Sequence, residues 1–191
     1  IIMDGLYHLP GIYYLGNLLS LTYLATYVIS PFQAGIYYVG YRAAAAVFVL
    51  VSAGFEAVLA SSVAMREDRP AGLGMWFLIY GVISLLLLYV LAPAVPVVFG
   101  AEYVESIRPI RLLASCVPTF ALCGLAHTLL MAAKRERFGA SVMSILLVGG
   151  GGLALITESV YGAEVTALVP ATSSFVAMLV LWIGLSRWVK E

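Results

Sequence analysis

Charged residues are scarce in this chain. Lys, Arg, Asp and Glu make up 10% of it, whereas 63% of its residues are hydrophobic; a typical soluble domain has about 25% charged residues. The ten basic residues balance the ten acidic ones, so no overall positive field favours nucleic acid as a partner. The composition predicts an all-α, polytopic membrane protein that binds no nucleic acid.

Metal-ligating and redox-active residues are also few. The two cysteines, Cys116 and Cys123, lie seven residues apart in one apolar run. That spacing puts them about two helical turns apart, too far for a disulfide with each other. No zinc or haem spacing is present. We predict no metal and no cofactor, and we expect both cysteines to be small buried apolar residues.

Clusters of catalytic groups are missing as well. Glu67 and Asp68 are adjacent in "MREDRPAG", but adjacent side chains point apart and no Gly-rich phosphate loop accompanies them. A membrane enzyme would need carboxylates or histidines grouped for acid-base or metal chemistry. We therefore predict that the protein is not an enzyme and has no catalytic residue.

Long apolar runs dominate what is present. A bilayer core of about 30 Å requires about 20 apolar residues in a helix, and six runs meet that length. They lie at 9–29, 34–64, 73–99, 110–133, 138–157 and 163–188. The connections are short, so residues 1–191 are predicted to form a single lobe, a bundle of six transmembrane helices.

The basic residues of the connections predict the orientation, because positive residues stay on the cytoplasmic side. One set of connections carries seven of them and the opposite set carries two. The seven are Arg66, Arg69, Lys134, Arg135, Arg137, Arg187 and Lys190, and the two are Arg108 and Arg111. Both termini are predicted to be cytoplasmic. The outer loops are predicted to carry Glu102, Glu105, Glu158 and Glu164.

Prolines and small residues mark places where the helices bend or pack closely. Pro93 and Pro96 near the end of the third run, Pro118 in the fourth and Pro170 at the start of the sixth each remove a backbone donor. Runs of small residues at 43–46 and 149–152 are predicted to let neighbouring helices approach. A moving hinge at the glycines is the alternative interpretation.

Two charges lie inside the second run. Arg42 and Glu56 are fourteen residues apart, about 21 Å along a helix and within about 40° of one face. Tyr38, Val49 and Ala53 continue that stripe. Because a charge facing lipid costs several kcal/mol, the stripe is predicted to face protein or water. It either pairs with polar groups of another helix or lines a polar lumen for a hydrophilic or anionic solute.

Further candidate binding residues are tyrosines and one histidine. Tyr37, Tyr38 and Tyr41 cluster in the second run, and Tyr13, Tyr14, Tyr23 and Tyr27 lie in the first. Most such tyrosines anchor a helix at headgroup depth, although tyrosines along a cavity also stack on sugars. His127 lies within the fourth run, where packing is the more common role and proton transfer the alternative. The candidate substrate-binding residues are Arg42, Glu56, Tyr38, Tyr41 and His127.

Four segments carry a family resemblance when they are taken in order. They are "AGIYYVGYRAAAAVFVL", "VVFGAEYVESIRPIRLLA" with its Phe-Gly-x-x-Tyr turn, the basic loop "AAKRERFG" and the polar turn "ESVYGAEVTAL". In this order the chain resembles the C-terminal half of the polysaccharide flippases, the O-antigen and exopolysaccharide translocases of the multidrug/oligosaccharidyl-lipid/polysaccharide exporter superfamily.

That resemblance implies a transporter lobe in the cytoplasmic (inner) membrane of a prokaryote. Such a lobe pairs with a homologous N-terminal six-helix lobe, here missing or supplied by a partner chain. Together the lobes move a polyprenyl-pyrophosphate-linked oligosaccharide across the membrane by alternating access, among membrane lipids. The Ile start favours a chain from which the other half is missing.

Under that resemblance Arg42 would bind phosphate or an acidic sugar in bidentate fashion. Glu56 would pair with the missing lobe, bind sugar hydroxyls or couple an ion. The alternatives are a drug/cation antiporter of the same superfamily and a non-transporting membrane scaffold.

Overall fold

The computed structural model describes residues 11–31, 33–47 and 73–188, and all regular secondary structure in these ranges is helical. This confirms the all-α fold class. In chain order the helices are α1 (Gly11–Ile29), α2 (33–47), α3 (Leu73–Leu91), α4 (Val95–Phe99), α5 (Ile107–Ala114), α6 (Cys116–Ala132), α7 (Glu136–Tyr161), α8 (Ala163–Thr166) and α9 (Val169–Trp188), with short 3-10 turns at Ala92–Ala94 and Ala101–Ser106.

Four helical segments are long and apolar enough to cross a membrane, which indicates a multi-pass membrane protein. They are Gly74–Phe99, Ala101–Met131, Glu136–Tyr161 and Glu164–Arg187, and they correspond to the last four predicted spans. The first predicted span contains a shorter apolar helix, Leu18–Ile29. Of the second, residues 34–47 are helical, while 48–64, with Glu56, Val49 and Ala53, lie outside the described residues. So do the loop 65–72 and Lys190.

Prolines interrupt the helices close to where the sequence predicts bends. The third span changes to a 3-10 turn at Ala92–Ala94, which contains Pro93, and Pro96 lies in the first turn of α4. The fourth span breaks at Ser115, between α5 and α6. Pro118 explains that break, because it has no N–H to donate to the carbonyl of Ala114 one turn earlier.

Helix α6 forms the centre of the bundle. In the span Ala101–Met131, which contains α6, 67% of the apolar stretch is buried, compared with 11% in the span Gly74–Phe99. Helices α3 and α9 both pack against α6, and α1 packs most extensively against α7. Phe120, Cys123 and Leu130 of α6 lie in the main apolar core. Both cysteines are buried and free, as predicted.

Two of the four consecutive glycines of α7 allow the predicted close packing. A Cβ at Gly150 would lie 2.5 Å from Leu18 Cδ1, and one at Gly151 would lie 3.1 Å from Leu21 Cδ1, whereas Gly149 and Gly152 have nothing within 4 Å. These contacts join α7 to side chains of α1. A hinge at the glycines stays a prediction.

The end of α7 corrects one expectation. The fifth span was predicted to end at 157, with Glu158 in an outer loop, but α7 continues to Tyr161. Glu158 lies in its last turns and is 4% exposed. The helix ends at Gly162, whose φ of 78° lies in the left-handed region that terminates helices without strain in glycine. The polar letters "ESVY" indicate a loop, yet they complete the helix.

Candidate functional site

Helix α2 has two different faces. Gly35, Tyr38, Arg42 and Ala46 are exposed, at the spacing of three or four residues that defines one helical face. The opposite face is buried and is formed by Ala34, Tyr37, Gly40 and Ala44. The stripe predicted through Tyr38 and Arg42 is therefore a continuous exposed surface of the described chain.

Four tyrosines from α1 and α2 meet beside this exposed face, and we call them, with Arg42, the tyrosine patch; Tyr27 and Tyr38 are exposed, and Tyr23 and Tyr41 are half-buried. Tyr23 stacks on Tyr41 with ring centroids 5.4 Å apart and an interplanar angle of 17°. Tyr38 lies 5.5 Å from Tyr23 and 6.1 Å from Tyr41, centroid to centroid. Tyr27 extends the group, 6.3 Å from Tyr23. The ring faces of two helices thus form one aromatic surface.

The polar ends of the patch are partly fixed. The hydroxyl of Tyr41 lies 3.1 Å from Ser20 Oγ, a hydrogen bond between α2 and α1. The guanidinium carbon of Arg42 lies 5.8 Å from the ring centroid of Tyr38, within the range of a cation–π contact. Among the described residues no carboxylate forms an ion pair with Arg42. Its charge is thus held beside the rings and is available to an anion.

The patch extends along both helices from the loop that connects α1 and α2. Tyr23 lies six residues before the end of α1, and Arg42 lies nine residues after 33, so their backbones are about 9 Å and about 13 Å along the helices from the connecting loop. Tyrosines that anchor a protein sit at the membrane–water interface. Tyr23 and Arg42 thus lie about two helical turns from that loop.

The exposed face of α3 provides the contrast. Its exposed side chains are almost all aliphatic, and Val82, Leu86 and Val90 are typical. Trp76 and Tyr89, also exposed, lie thirteen residues apart near its two ends, the pattern of interfacial aromatic residues on a lipid-facing helix. The exposed faces of α3 and of α2 therefore differ in chemistry: the face of α3 fits lipid, whereas the tyrosine patch carries hydroxyls and a cation.

The remaining candidate residues do not join the patch. His127 is 0% exposed in α6, and a Cβ at Gly139 of α7 would lie 2.7 Å from its Nδ1. The imidazole therefore packs directly against the α7 backbone. Its role in substrate binding stays a prediction. Glu56 lies outside the described residues.

A polar cavity of about 900 Å³ lies at the end of the bundle where three connections meet. Gln33 at the start of α2, residues of the 104–112 segment and the turn at 161–164 all line it; the sequence predicts all three connections on the outer side. Arg108 forms an ion pair with Glu164 at 2.7 Å. The guanidinium carbon of Arg111 lies 4.5 Å from the ring centroid of Tyr89.

Sequence reasoning missed two features of this end of the molecule. Arg108 and Arg111 counted only as indicators of orientation, although their spacing in the amphipathic stretch "SIRPIRLLA" was a usable signal. The buried carboxyl group of Glu158 was not anticipated at all. Its Oε2 accepts a hydrogen bond of 3.1 Å from Thr26 Oγ1, and no local pattern indicates a partner 132 residues away.

No protein-family model, no curated protein and no solved structure matches this chain significantly. The arrangement of the described residues is therefore the basis for any statement about function.

Proposed function

We propose that this chain is a six-helix lobe of a transporter that moves a lipid-linked oligosaccharide across the cytoplasmic membrane of a prokaryote by alternating access. A second six-helix lobe would face the tyrosine patch across a water-filled cavity. The observation that carries the proposal is the patch itself: four tyrosines, two exposed and two half-buried, and an exposed arginine on α1 and α2, whereas the exposed face of α3 presents almost only aliphatic side chains.

The chemistry of the patch fits the two parts of such a substrate. Tyrosine rings offer flat apolar faces to the C–H surfaces of sugars, and their hydroxyls form hydrogen bonds. Arg42 offers a planar fork that matches the oxygens of a pyrophosphate or an acidic sugar. With α1 and α2 as membrane spans, an exposed charge such as that of Arg42 is costly beside lipid. A wet cavity between two lobes accounts for the exposure of Arg42.

The same observation weighs against a drug/cation antiporter. Such a protein needs acidic groups exposed to its cavity, but the charged group on the exposed face of α2, within 33–47, is Arg42. A cationic drug would be repelled by the guanidinium. The carboxyl group of Glu158 is buried and accepts a hydrogen bond from Thr26, so it is not exposed to a cavity.

Thiol accessibility tests whether the patch faces water. Tyr38→Cys and Val82→Cys, each in a background without native cysteines, place one thiol on the patch and one on α3. We expect a membrane-impermeant, charged thiosulfonate reagent to modify the cysteine at 38 in native membranes and to leave the one at 82 unmodified. Equal protection of both positions would support a lipid-facing or packed surface and a scaffold role instead.

Delivery of lipid-linked sugar tests the substrate role. In the complete protein, Arg42→Ala should reduce delivery to the outer leaflet while membrane abundance stays unchanged, and Arg42→Lys should restore it only in part, because an ammonium lacks the bidentate fork. Arg187→Ala, which removes an exposed arginine from the last turn of α9, is the matched control. Normal delivery by Arg42→Ala would contradict the proposal.

A further inference from the structure

The cavity at the outer end of the bundle has the size and lining of a ligand site separate from the tyrosine patch. Its volume of about 900 Å³ is near the upper end of the range of about 300–1,000 Å³ for small-molecule pockets. A single ion or phosphate would leave most of that space empty. The volume instead fits several linked rings.

The charges of the cavity are balanced. Its lining includes Arg108 and Arg111 together with Glu105 and Glu164, which gives two positive and two negative groups and a formal charge of zero. Arg108 is already neutralised by its 2.7 Å contact with Glu164. A cavity without net charge does not concentrate free anions, so electrostatic capture of a phosphate is not its function.

Arg111 makes two contacts with Tyr89. Its Nε donates to the backbone oxygen of Tyr89 at 3.4 Å, and its guanidinium lies over the ring of that residue. Among the described residues this oxygen is the one hydrogen-bond acceptor that Arg111 has. Its terminal N–H groups therefore remain for a ligand that supplies acceptors.

The other lining residues complete a set of donors, acceptors and ring faces. Glu105 is a carboxylate acceptor. Tyr161, which is 67% exposed, contributes an open aromatic face. Hydroxyl groups both donate and accept, and sugar rings present C–H faces to aromatic rings, so an uncharged saccharide satisfies this lining where a simple anion or an acyl chain does not.

We infer that this cavity is a second saccharide subsite, which takes an uncharged part of an oligosaccharide at the outer end of the lobe. Gln33 of the cavity and Tyr38 of the patch lie on the same helix, five residues apart, which is about 7.5 Å along its axis and about 140° around it. The cavity and the patch are therefore separate surfaces of that helix. The inference rests on the proposed function for the source of the saccharide, but not for its binding.

Binding of free sugars to the purified full protein tests the site. Isothermal titration with maltopentaose, an uncharged pentasaccharide, should give saturable binding, with a Kd in the millimolar range. A galacturonate pentasaccharide of equal length should bind more weakly, because the cavity is neutral and Glu105 opposes it. No saturable binding of maltopentaose, or stronger binding of the acidic sugar, would overturn the inference.

Variants locate the binding. Arg111→Ala and Tyr161→Ala should each weaken maltopentaose binding about tenfold, whereas Arg187→Ala should leave it unchanged. Tyr161 is mostly exposed, so its variant should keep the wild-type melting temperature and serves as the check if Arg111→Ala folds poorly. Binding that is unaffected in Tyr161→Ala would place the sugar elsewhere and refute this subsite.

The two proposals fail in different ways. If Arg42→Ala delivers lipid-linked sugar normally while maltopentaose binding still depends on Tyr161, the transport proposal is wrong and the subsite stands. If Arg42→Ala blocks delivery but maltopentaose does not bind, the subsite is wrong and the transport proposal stands.

Discussion

Thr26 of α1 donates a hydrogen bond to the carboxyl group of Glu158 in α7, with 3.1 Å between Oγ1 and Oε2. Both side chains are buried, and the bond joins two helices, α1 and α7, that pack extensively against each other. Thr26 also donates to the carbonyl oxygen of Thr22 in its own helix, at 3.2 Å. The hydroxyl is thus shared between a local and an interhelical acceptor.

Removal of this hydroxyl should destabilise the protein. Thr26→Val keeps the side-chain volume but leaves a buried carboxyl oxygen without its donor, which should cost about 1–2 kcal/mol. Thr172→Val is the control, because Thr172 is exposed and donates only to carbonyls of its own segment, Leu168 and Val169. The free energy of unfolding in mixed micelles measures both. Equal losses would mean that the interhelical bond adds nothing.

Alanine substitutions at three glycines should change stability by different amounts, because the space available for a Cβ differs among them. A Cβ at Gly81 would lie 2.7 Å from the Cα of Pro118, a backbone atom that cannot rotate away; we expect a loss of about 1–3 kcal/mol. At Gly150 the conflict is with a movable methyl group of Leu18, so the loss should be smaller. Gly149 has open space, and alanine there should be neutral or stabilising by up to about 1 kcal/mol. Melting temperatures in detergent give the order, and a different order would contradict the packing of α3 on α6.

Substitution at Gly150 also tests a moving hinge in α7. Gly150→Leu fills the contact with Leu18 and should reduce transport if α7 must bend at its glycines. Gly149→Leu, with open space at the site, controls for the added bulk. Normal transport by the Gly150 variant, at normal abundance, would count against the hinge.

The ion pair between Arg108 and Glu164 should contribute little to stability despite its 2.7 Å separation. Both side chains are substantially exposed, and exposed pairs are worth about 0–1 kcal/mol. Glu164→Gln should therefore change the unfolding free energy by less than Thr26→Val does. A larger loss in Glu164→Gln, persistent at high salt, would indicate that water is excluded from the pair.

The native cysteines should be protected from labelling. Cys116 and Cys123 are fully buried in α6, so a maleimide should modify them only after the bundle opens. The folded protein in detergent should show no modification over a period in which the exposed thiol of Tyr38→Cys reacts fully, and unfolding should release both native thiols. Rapid modification of the native protein would contradict the central position of α6.

Much of the fold was predictable because it depends on local properties. Apolar runs long enough for a bilayer predicted the last four spans, and Pro93 and Pro118 predicted interruptions that the backbone chemistry of proline requires. That Tyr38 and Arg42 share one face followed from helical periodicity alone, whereas the exposure of that face did not. The end of α7 was missed by four residues, because polar side chains do not stop a helix when a glycine suitable for termination comes only at Gly162.

The candidate site was less predictable, because it depends on which helices meet. The stripe on α2 was visible in the sequence, but its union with Tyr23 and Tyr27 required α1 to pack beside it. The cavity that Arg111 lines could not be predicted, because it forms only where three connections meet at one end of the bundle. The burial of Glu158 could not be predicted without knowing that α1 packs against α7 and places Thr26 beside it.

The sequence by itself determined that the chain forms apolar helices, since hydropathy and backbone constraints act over neighbouring residues. Only the tertiary structure decided which polar groups are buried, which are exposed and which are brought together. Residues as far apart as Thr26 and Glu158 meet through the packing of whole helices, and the free energy of that packing is a sum over many contacts that no single stretch of sequence contains.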